Sequence, residues 1–169
     1  MASDFFQRQL ASYAAVHRDL RNKATHFVGI PVIVFSLLLV LSLWRPSLAG
    51  HDVSGALVVA TLAVLGWTAL DLGIGLIMAV MILAGWYAAE SLASLLGPGS
   101  TWSAFLVLFV GGWVLQFLGH HYEGKRPALA DNIFQAFIGP MFLVAETMVA
   151  LGQRRDLDNL MHQIDVTAR

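Results

Sequence analysis

The sequence predicts an all-α integral membrane protein, a polytopic bundle of four spanning helices plus a fifth apolar helix. Of the 169 residues, 57% are hydrophobic and only 12% are charged, whereas a soluble domain carries about 25% charged residues. The 92 residues from Phe27 to Leu118 contain just four charged side chains, Arg45, Asp52, Asp71 and Glu90. A soluble fold of this size would need many more charges to cover its surface.

Charge and cysteine content exclude several other classes of protein. The net charge of −1 gives no indication of a nucleic-acid partner, and the absence of Cys excludes a disulfide scaffold and thiolate chemistry. The first 26 residues are polar and amphipathic and include Asp4 and Asp19, unlike a cleavable signal peptide. We therefore expect the first apolar run to be a retained span that follows an amphipathic segment, residues 1–26.

Four apolar runs come near the length of about 20 residues that a spanning helix needs. They cover about residues 27–44, 54–70, 72–96 and 102–119, with turns at Pro46 and at residues 97–100. Only Asp71 separates the second run from the third. A single helix over these 43 residues would be about 65 Å long, twice the hydrocarbon thickness. A tight hairpin at Asp71 is therefore predicted.

A fifth apolar segment, residues 133–151, contains Gln135, Gly139-Pro140 and Glu146. It either crosses the membrane or lies partly in the interface, and the sequence leaves both interpretations open. Residues 1–151 are interpreted as one membrane-embedded domain and residues 152–169 as a polar tail. The tail has a weak amphipathic pattern in Leu157, Leu160, Met161 and Ile164.

The distribution of Lys and Arg predicts the orientation of the bundle. The N-terminal segment and the loop after the fourth span are the most basic, with Arg8, Arg18, Arg21 and Lys23 in the first and Lys125 and Arg126 in the second. Both are predicted to be cytoplasmic, in the inner membrane of a bacterium or the endoplasmic reticulum of a eukaryote. Arg154 and Arg155 weakly favour the same side, which argues against a simple fifth crossing.

Parity places most of the histidines together. Four predicted crossings separate His26 from His120, so both lie at the same face whatever the orientation. His17, His121 and Glu123 are at that face too, which brings up to five metal-ligating side chains to one level. Imidazole with an occasional carboxylate suits Fe(II), Zn or another divalent transition metal. The alternative is a group of interfacial histidines without a metal, as we expect for the surface residues His51 and His162.

Spacing sets a condition on this candidate site. His17 and His26 would point to opposite sides of one continuous helix, so they converge only if the chain breaks between them. We predict the break at residues 18–23, with Asn22 as the N-cap of the first span. His120 and Glu123 share a helical face, and Gln116 lies one turn below His120, where it could support that ligand.

Two glutamates fall inside apolar segments, where ionisable groups are costly. Glu90 and Glu146 therefore have two possible interpretations, a polar contact between helices or a role in catalysis.

Two sequence blocks resemble a known family. The first reads HRDLRNKATHFVGIP over residues 17–31, and the second reads GHHYEGKRPAL over residues 119–129. Together with Tyr13, Gln116, Gln135 and the later Gly139-Pro140 and Glu146, they resemble the 2-hydroxy fatty acid dioxygenase family, which includes a fungal enzyme of phytosphingosine breakdown and bacterial relatives. The resemblance extends from about residue 13 to residue 146.

The resemblance implies an integral membrane enzyme that uses Fe(II) and O₂ to shorten a 2-hydroxy fatty acid by one carbon. The family's histidine positions match His17, His26 and His120, while His121 and Glu123 remain candidates for a further ligand or catalytic group. The carboxylate and hydroxyl of such a substrate are a natural chelate for iron. Four basic residues near this face either hold the substrate carboxylate or anchor the protein to membrane lipid: Arg18, Lys23, Lys125 and Arg126.

Two other functions compete with the enzyme. One is a non-catalytic membrane scaffold or lipid-binding protein whose histidines meet headgroups. The other is a small transporter with broken helices at Gly29-Ile30-Pro31 and Gly139-Pro140, which would require both breaks near the membrane midplane.

Overall fold

The computed structural model describes residues 2–124 and 134–162, with the backbone alone for His162. Nearly all of these residues are helical. The elements are α1 (Asp4–Ala14), α2 (Leu20–Leu41), a short hairpin of β1 (Ser47–Leu48) and β2 (His51–Asp52), α3 (Gly55–Leu70), α4 (Leu72–Glu123), α5 (Phe134–Ala150) and α6 (Arg155–His162). The all-α class is confirmed.

The predicted hairpin at Asp71 is confirmed. This residue is extended, with φ −152° and ψ 117°, and its side chain accepts a hydrogen bond from the Ile74 N–H at 2.9 Å, which caps α4. Just beyond the turn the two helices meet closely, because a Cβ atom at Gly75 would lie 2.5 Å from Thr68 Cα. A residue with a side chain would force α3 and α4 apart.

α4 reverses direction at Gly97, whose φ of 73° and ψ of 168° interrupt the helix. Before this point α4 runs parallel to α2, since Gly85 lies against Leu38 and Glu90 bonds to Arg45 at 2.5 Å. After it, α4 runs antiparallel to α2: Gly112 lies against Ile33, and Gly119 lies against the first turns of α2. The two arms, residues 72–96 and 98–123, are about 37 and about 39 Å long. The second arm begins four residues earlier than predicted, because Pro98 suits a first helical turn.

α2 begins at Leu20, seven residues before the predicted span, and the predicted cap was wrong. Asp19 is the N-cap, and its side chain accepts from the Arg21 N–H at 2.8 Å. Asn22 is instead buried inside the first turn. Pro31 consequently lies in the helix interior, yet α2 continues through it, as α5 continues through Pro140. The absence of a helix break at either proline counts against the transporter interpretation.

Membrane association is supported by helix length and hydropathy. α2 and α4 are long and apolar enough to cross a membrane, and α5 with α6, bent by 114°, would make a third such helix if counted together. α3 is apolar but has only 16 residues. Large side chains on the outside are apolar as well, with Val80, Leu95 and Val107 each more than 70% exposed. The count of four spans stays a prediction, as does the fate of the fifth segment.

α1 and α6 pack together at the end of the bundle where α3 meets α4. α1 buries Phe6, Leu10 and Tyr13, and α6 buries Leu157 and Met161. Ile164, the last residue of the predicted amphipathic pattern, lies outside the described residues.

Arg154, just before α6, fixes this end to the turn between α3 and α4. Its guanidinium donates to both carboxylate oxygens of Asp71 at 3.0 and 2.9 Å. Burial alone would raise the pKa of the Asp71 carboxyl, but hydrogen bonds from Arg154 and from the Ile74 N–H hold it below its ordinary value. The turn that separates the two helices is thereby tied to the C-terminal part of the chain.

Candidate metal centre

Three histidines from three parts of the chain meet at this end of the bundle. His17 lies in the connection between α1 and α2, His26 in the second turn of α2, and His120 in the last turn of α4. As predicted, the chain breaks between His17 and His26. One ligand nitrogen of each residue lies within 4.8 Å of the others. In the described part of the chain, this is the one such cluster of three or more metal-ligating side chains.

Backbone carbonyls fix the tautomer of two of these rings. Nδ1 of His17 is 2.7 Å from the Tyr13 carbonyl oxygen, and Nδ1 of His26 is 3.0 Å from that of Asn22. A carbonyl only accepts, so each Nδ1 must donate. Both Nε2 atoms then carry lone pairs, and they face each other at 3.2 Å. Two nitrogens that bind one ion at about 2.1 Å each lie about 3.0–3.4 Å apart, depending on the angle at the ion, so a cation between them would resolve the repulsion.

Burial keeps the first ring neutral. Desolvation lowers the pKa of His17 to about 3, against an ordinary 6.5, and the nearby His26 and His120 add to the lowering, while the bond to the Tyr13 carbonyl opposes it. The Tyr13 ring stacks on His17 with centroids 3.9 Å apart. The imidazole lone pair is therefore available at neutral pH without competition from protons.

The third ring approaches because the residue before it has no side chain. A Cβ at Gly119 would lie 2.5 Å from Asn22 Oδ1 and 3.0 Å from His26 Nδ1. This close approach puts the His120 ring 4.9 Å from that of His26. The His120 Nδ1 atom is buried and has no hydrogen-bond partner among the described residues. The donor set, three buried imidazoles of which two have fixed tautomers, fits Fe(II) or another divalent transition metal.

The other two candidate ligands lie outside this group. His121 is exposed, beside Tyr122. The Glu123 carboxylate accepts hydrogen bonds from the Arg18 and Asp19 N–H groups at 3.0 and 2.8 Å, and from Asn22 Nδ2 at 3.1 Å. It thus caps the start of α2 and holds the connection that carries His17.

Two of the four basic residues proposed for the substrate carboxylate, Arg18 and Lys23, lie at a different cavity. Lys23 forms an ion pair with Glu146, each with a side chain 18% exposed. Lys23, Glu146 and Arg18 border a cavity of about 260 Å³ that touches the three histidines only through His17. Lys125 and Arg126 lie outside the described residues. Glu146 therefore makes a contact between helices, and Glu90 joins α4 to Arg45 in the segment that follows α2.

All three histidines line an apolar cavity of about 350 Å³ between α2, the second arm of α4 and α5. A larger cavity of about 650 Å³ lies next to it and shares Ile30, Val34 and Pro140 with its lining. Almost every other lining side chain of both is apolar. The shared residues place the two apolar cavities side by side along the helices, with the histidines at the smaller one.

Sequence reasoning missed the residues that orient the rings. Tyr13 and Asn22 stand four positions before His17 and His26, and each offers the carbonyl that receives Nδ1–H. An i−4 carbonyl is within reach of a histidine near a helix end, so this spacing was a usable signal. The close approach at Gly119 had no comparable signal, because it depends on how α2 and α4 pack.

Substitution of Glu123 should show whether this residue caps α2 or binds the metal. In Glu123→Ala we expect the free energy of unfolding in detergent to fall by about 2 kcal/mol, because charge-assisted bonds to three N–H donors are lost. Glu123→Gln, which keeps an acceptor, should lose less, and both folded variants should retain metal. Asp52→Ala, at an exposed carboxylate on β2, is the control. Loss of metal from Glu123→Gln at an unchanged unfolding temperature would instead make Glu123 a ligand.

The helices of membrane-spanning length indicate a membrane-associated protein. The buried neutral histidines at one end of its bundle form a candidate metal centre. The family described as 2-hydroxy-palmitic acid dioxygenase Mpo1-like matches residues 3–151, and the chain belongs to this family. It is 30% identical over 165 residues to the 2-hydroxy-palmitic acid dioxygenase MPO1 of Saccharomyces cerevisiae, covering 95% of this chain and 90% of that protein. No solved structure matches.

Proposed function

We propose that this protein is a Fe(II)-dependent dioxygenase that converts a 2-hydroxy fatty acid to the acid one carbon shorter. The observation that carries the proposal is the opening of three neutral histidines onto an apolar cavity. His17, His26 and His120 would hold the iron, which supplies the activation of O₂. The family relationship and the name of the yeast relative support the same reaction class.

The chain's own residues prepare the site in two ways. The Tyr13 and Asn22 carbonyls hold Nδ1 of two rings, so that Nε2 is presented in one orientation. The apolar lining of the cavity limits the access of water to the carboxylate and hydroxyl of the substrate. The acyl tail would pass Ile30, Val34 and Pro140 into the larger cavity, and so stay in a hydrocarbon environment.

The membrane arrangement belongs to the same proposal. Four spans, with the histidine end and the N-terminus on the cytoplasmic side, would place the reacting head at the membrane surface and the tail among the helices. The reversal of α4 at Gly97 supports two crossings within that element. Arg18 and Lys23 would then lie at the headgroup level, where they can contact lipid phosphates.

The test is turnover by protein purified without oxygen. We expect about one iron per chain, and O₂ consumption with 2-hydroxyhexadecanoic acid that yields pentadecanoic acid by mass spectrometry. Hexadecanoic acid is the matched control and should give no shortened product. Protein that holds no metal and consumes no O₂ would instead favour a non-catalytic scaffold or lipid-binding module.

A further inference from the structure

Two amide side chains stand out in the lining of the histidine cavity. Gln116, on α4, and Gln135, on α5, are only 7% and 4% exposed. Apart from them and the histidines, the lining is apolar but for the Tyr13 hydroxyl and the Trp113 indole N–H. Polar groups in such a place normally find partners within the fold, because an unpaired buried donor or acceptor costs about 1–3 kcal/mol.

Gln116 has an unused donor. Its Nε2 atom is buried and has no hydrogen-bond partner among the described residues. The amide lies directly over Gly29 of α2, where any Cβ would collide with Nε2 and would also lie 3.0 Å from the Gly112 carbonyl oxygen. α2 thus lacks a side chain at the one position where this amide needs room. The amide itself lies one helical turn from His120.

Gln135 has an unused acceptor. Its Nε2 donates to Gln9 Oε1 at 2.7 Å, which fixes the orientation of the amide. The other end, Oε1, is buried and has no partner within the described ranges. Each of the two amides that border the cavity thus has one buried atom without a partner within the described ranges, a donor on Gln116 and an acceptor on Gln135.

We propose that these two glutamines recognise the head of a 2-hydroxy acid: Gln116 Nε2–H donates to a carboxylate oxygen, and Gln135 Oε1 accepts the proton of the 2-hydroxyl. This inference rests on the proposed function and adds the residues that set its specificity. An acid without the hydroxyl leaves the Gln135 acceptor unpaired, and discrimination by an unpaired buried group is strong. Lys23 is not an alternative within this cavity, because it borders a different one.

Binding under anaerobic conditions tests the proposal without turnover. Iron-loaded protein in detergent is titrated by calorimetry with 2-hydroxyhexadecanoic acid and with hexadecanoic acid. We expect the wild type to bind the hydroxy acid at least about tenfold more tightly, the equivalent of one buried hydrogen bond. Gln135→Leu should reduce this preference to within about twofold. Gln116→Leu should weaken both acids about tenfold and keep the preference.

The controls distinguish failure of this inference from failure of the proposed function. Gln7→Leu makes the same change on α1, outside the cavity, and should bind as the wild type does. Gln135→Met keeps the length of the side chain if the leucine variant does not fold. A wild type without preference for the hydroxy acid would overturn the inference, whereas the proposed function is overturned by the absence of O₂ consumption and shortened product. A preference that survives in folded Gln135→Leu and Gln135→Met overturns the inference alone.

Discussion

Replacing His26 with alanine is expected to remove the bound metal and abolish O₂ consumption. The ring supplies one of three nitrogens that lie within 4.8 Å of one another, and its loss leaves only two of them for the ion. Loss of a supporting residue around a metal site weakens affinity about 10–100-fold, so loss of a ligand should cost more than 100-fold. The measurement is metal content by mass spectrometry, together with O₂ uptake.

Two histidines outside the cluster provide matched controls for that experiment. His51→Ala changes an exposed residue on β2, and His121→Ala changes the exposed neighbour of His120. Both should keep full metal content, while His17→Ala and His120→Ala should behave as His26→Ala does. Wild-type turnover by the triple variant of His17, His26 and His120 would contradict the assignment.

Gly119→Ala is expected to lose metal although every histidine is retained. The added methyl would lie 2.5 Å from Asn22 Oδ1 and 3.0 Å from His26 Nδ1, so α4 must move away from α2. Overpacking of this kind costs about 1–3 kcal/mol of stability. Because His120 moves with α4, we expect metal affinity to fall at least about tenfold.

Gly111→Ala on the same helix is the matched control, since a Cβ there meets nothing within 4 Å. Alanine favours a helix over glycine by about 1 kcal/mol, so this variant should unfold at the same temperature or higher and keep its metal. Normal metal affinity and normal thermal unfolding in Gly119→Ala would show that the two helices are not packed as described.

Hydropathy predicted the turn between the second and third helices correctly, but not the residue at which α2 begins. The break at Asp71 could be predicted because a lone carboxylate in a long apolar run is costly inside a span and is tolerated at a turn. The start of α2 was missed because its first turns are polar. Helix capping, which hydropathy does not measure, decides that boundary: the Asp19 side chain accepts from the Arg21 N–H, and Asn22 lies inside the first turn.

Parity predicted that His17, His26 and His120 lie at the same end of the bundle. It could not separate them from Glu123, which shares a helical face with His120 but is held by the N–H groups that begin α2. The unpaired atoms of Gln116 and Gln135 were also beyond sequence reasoning. A missing hydrogen bond is visible only once every neighbour of a buried group is known.

The hydrogen bond from the Arg18 N–H to Glu123 joins positions 105 residues apart. At synthesis rates of about 5–20 residues per second, the ribosome needs about 5–20 s to make the chain between them. During that interval His17 and His26 exist without His120, and the nascent chain offers an incomplete ligand set. A metal ion that needs all three rings could therefore be acquired only late in biogenesis, after residues 98–123 have docked against α2.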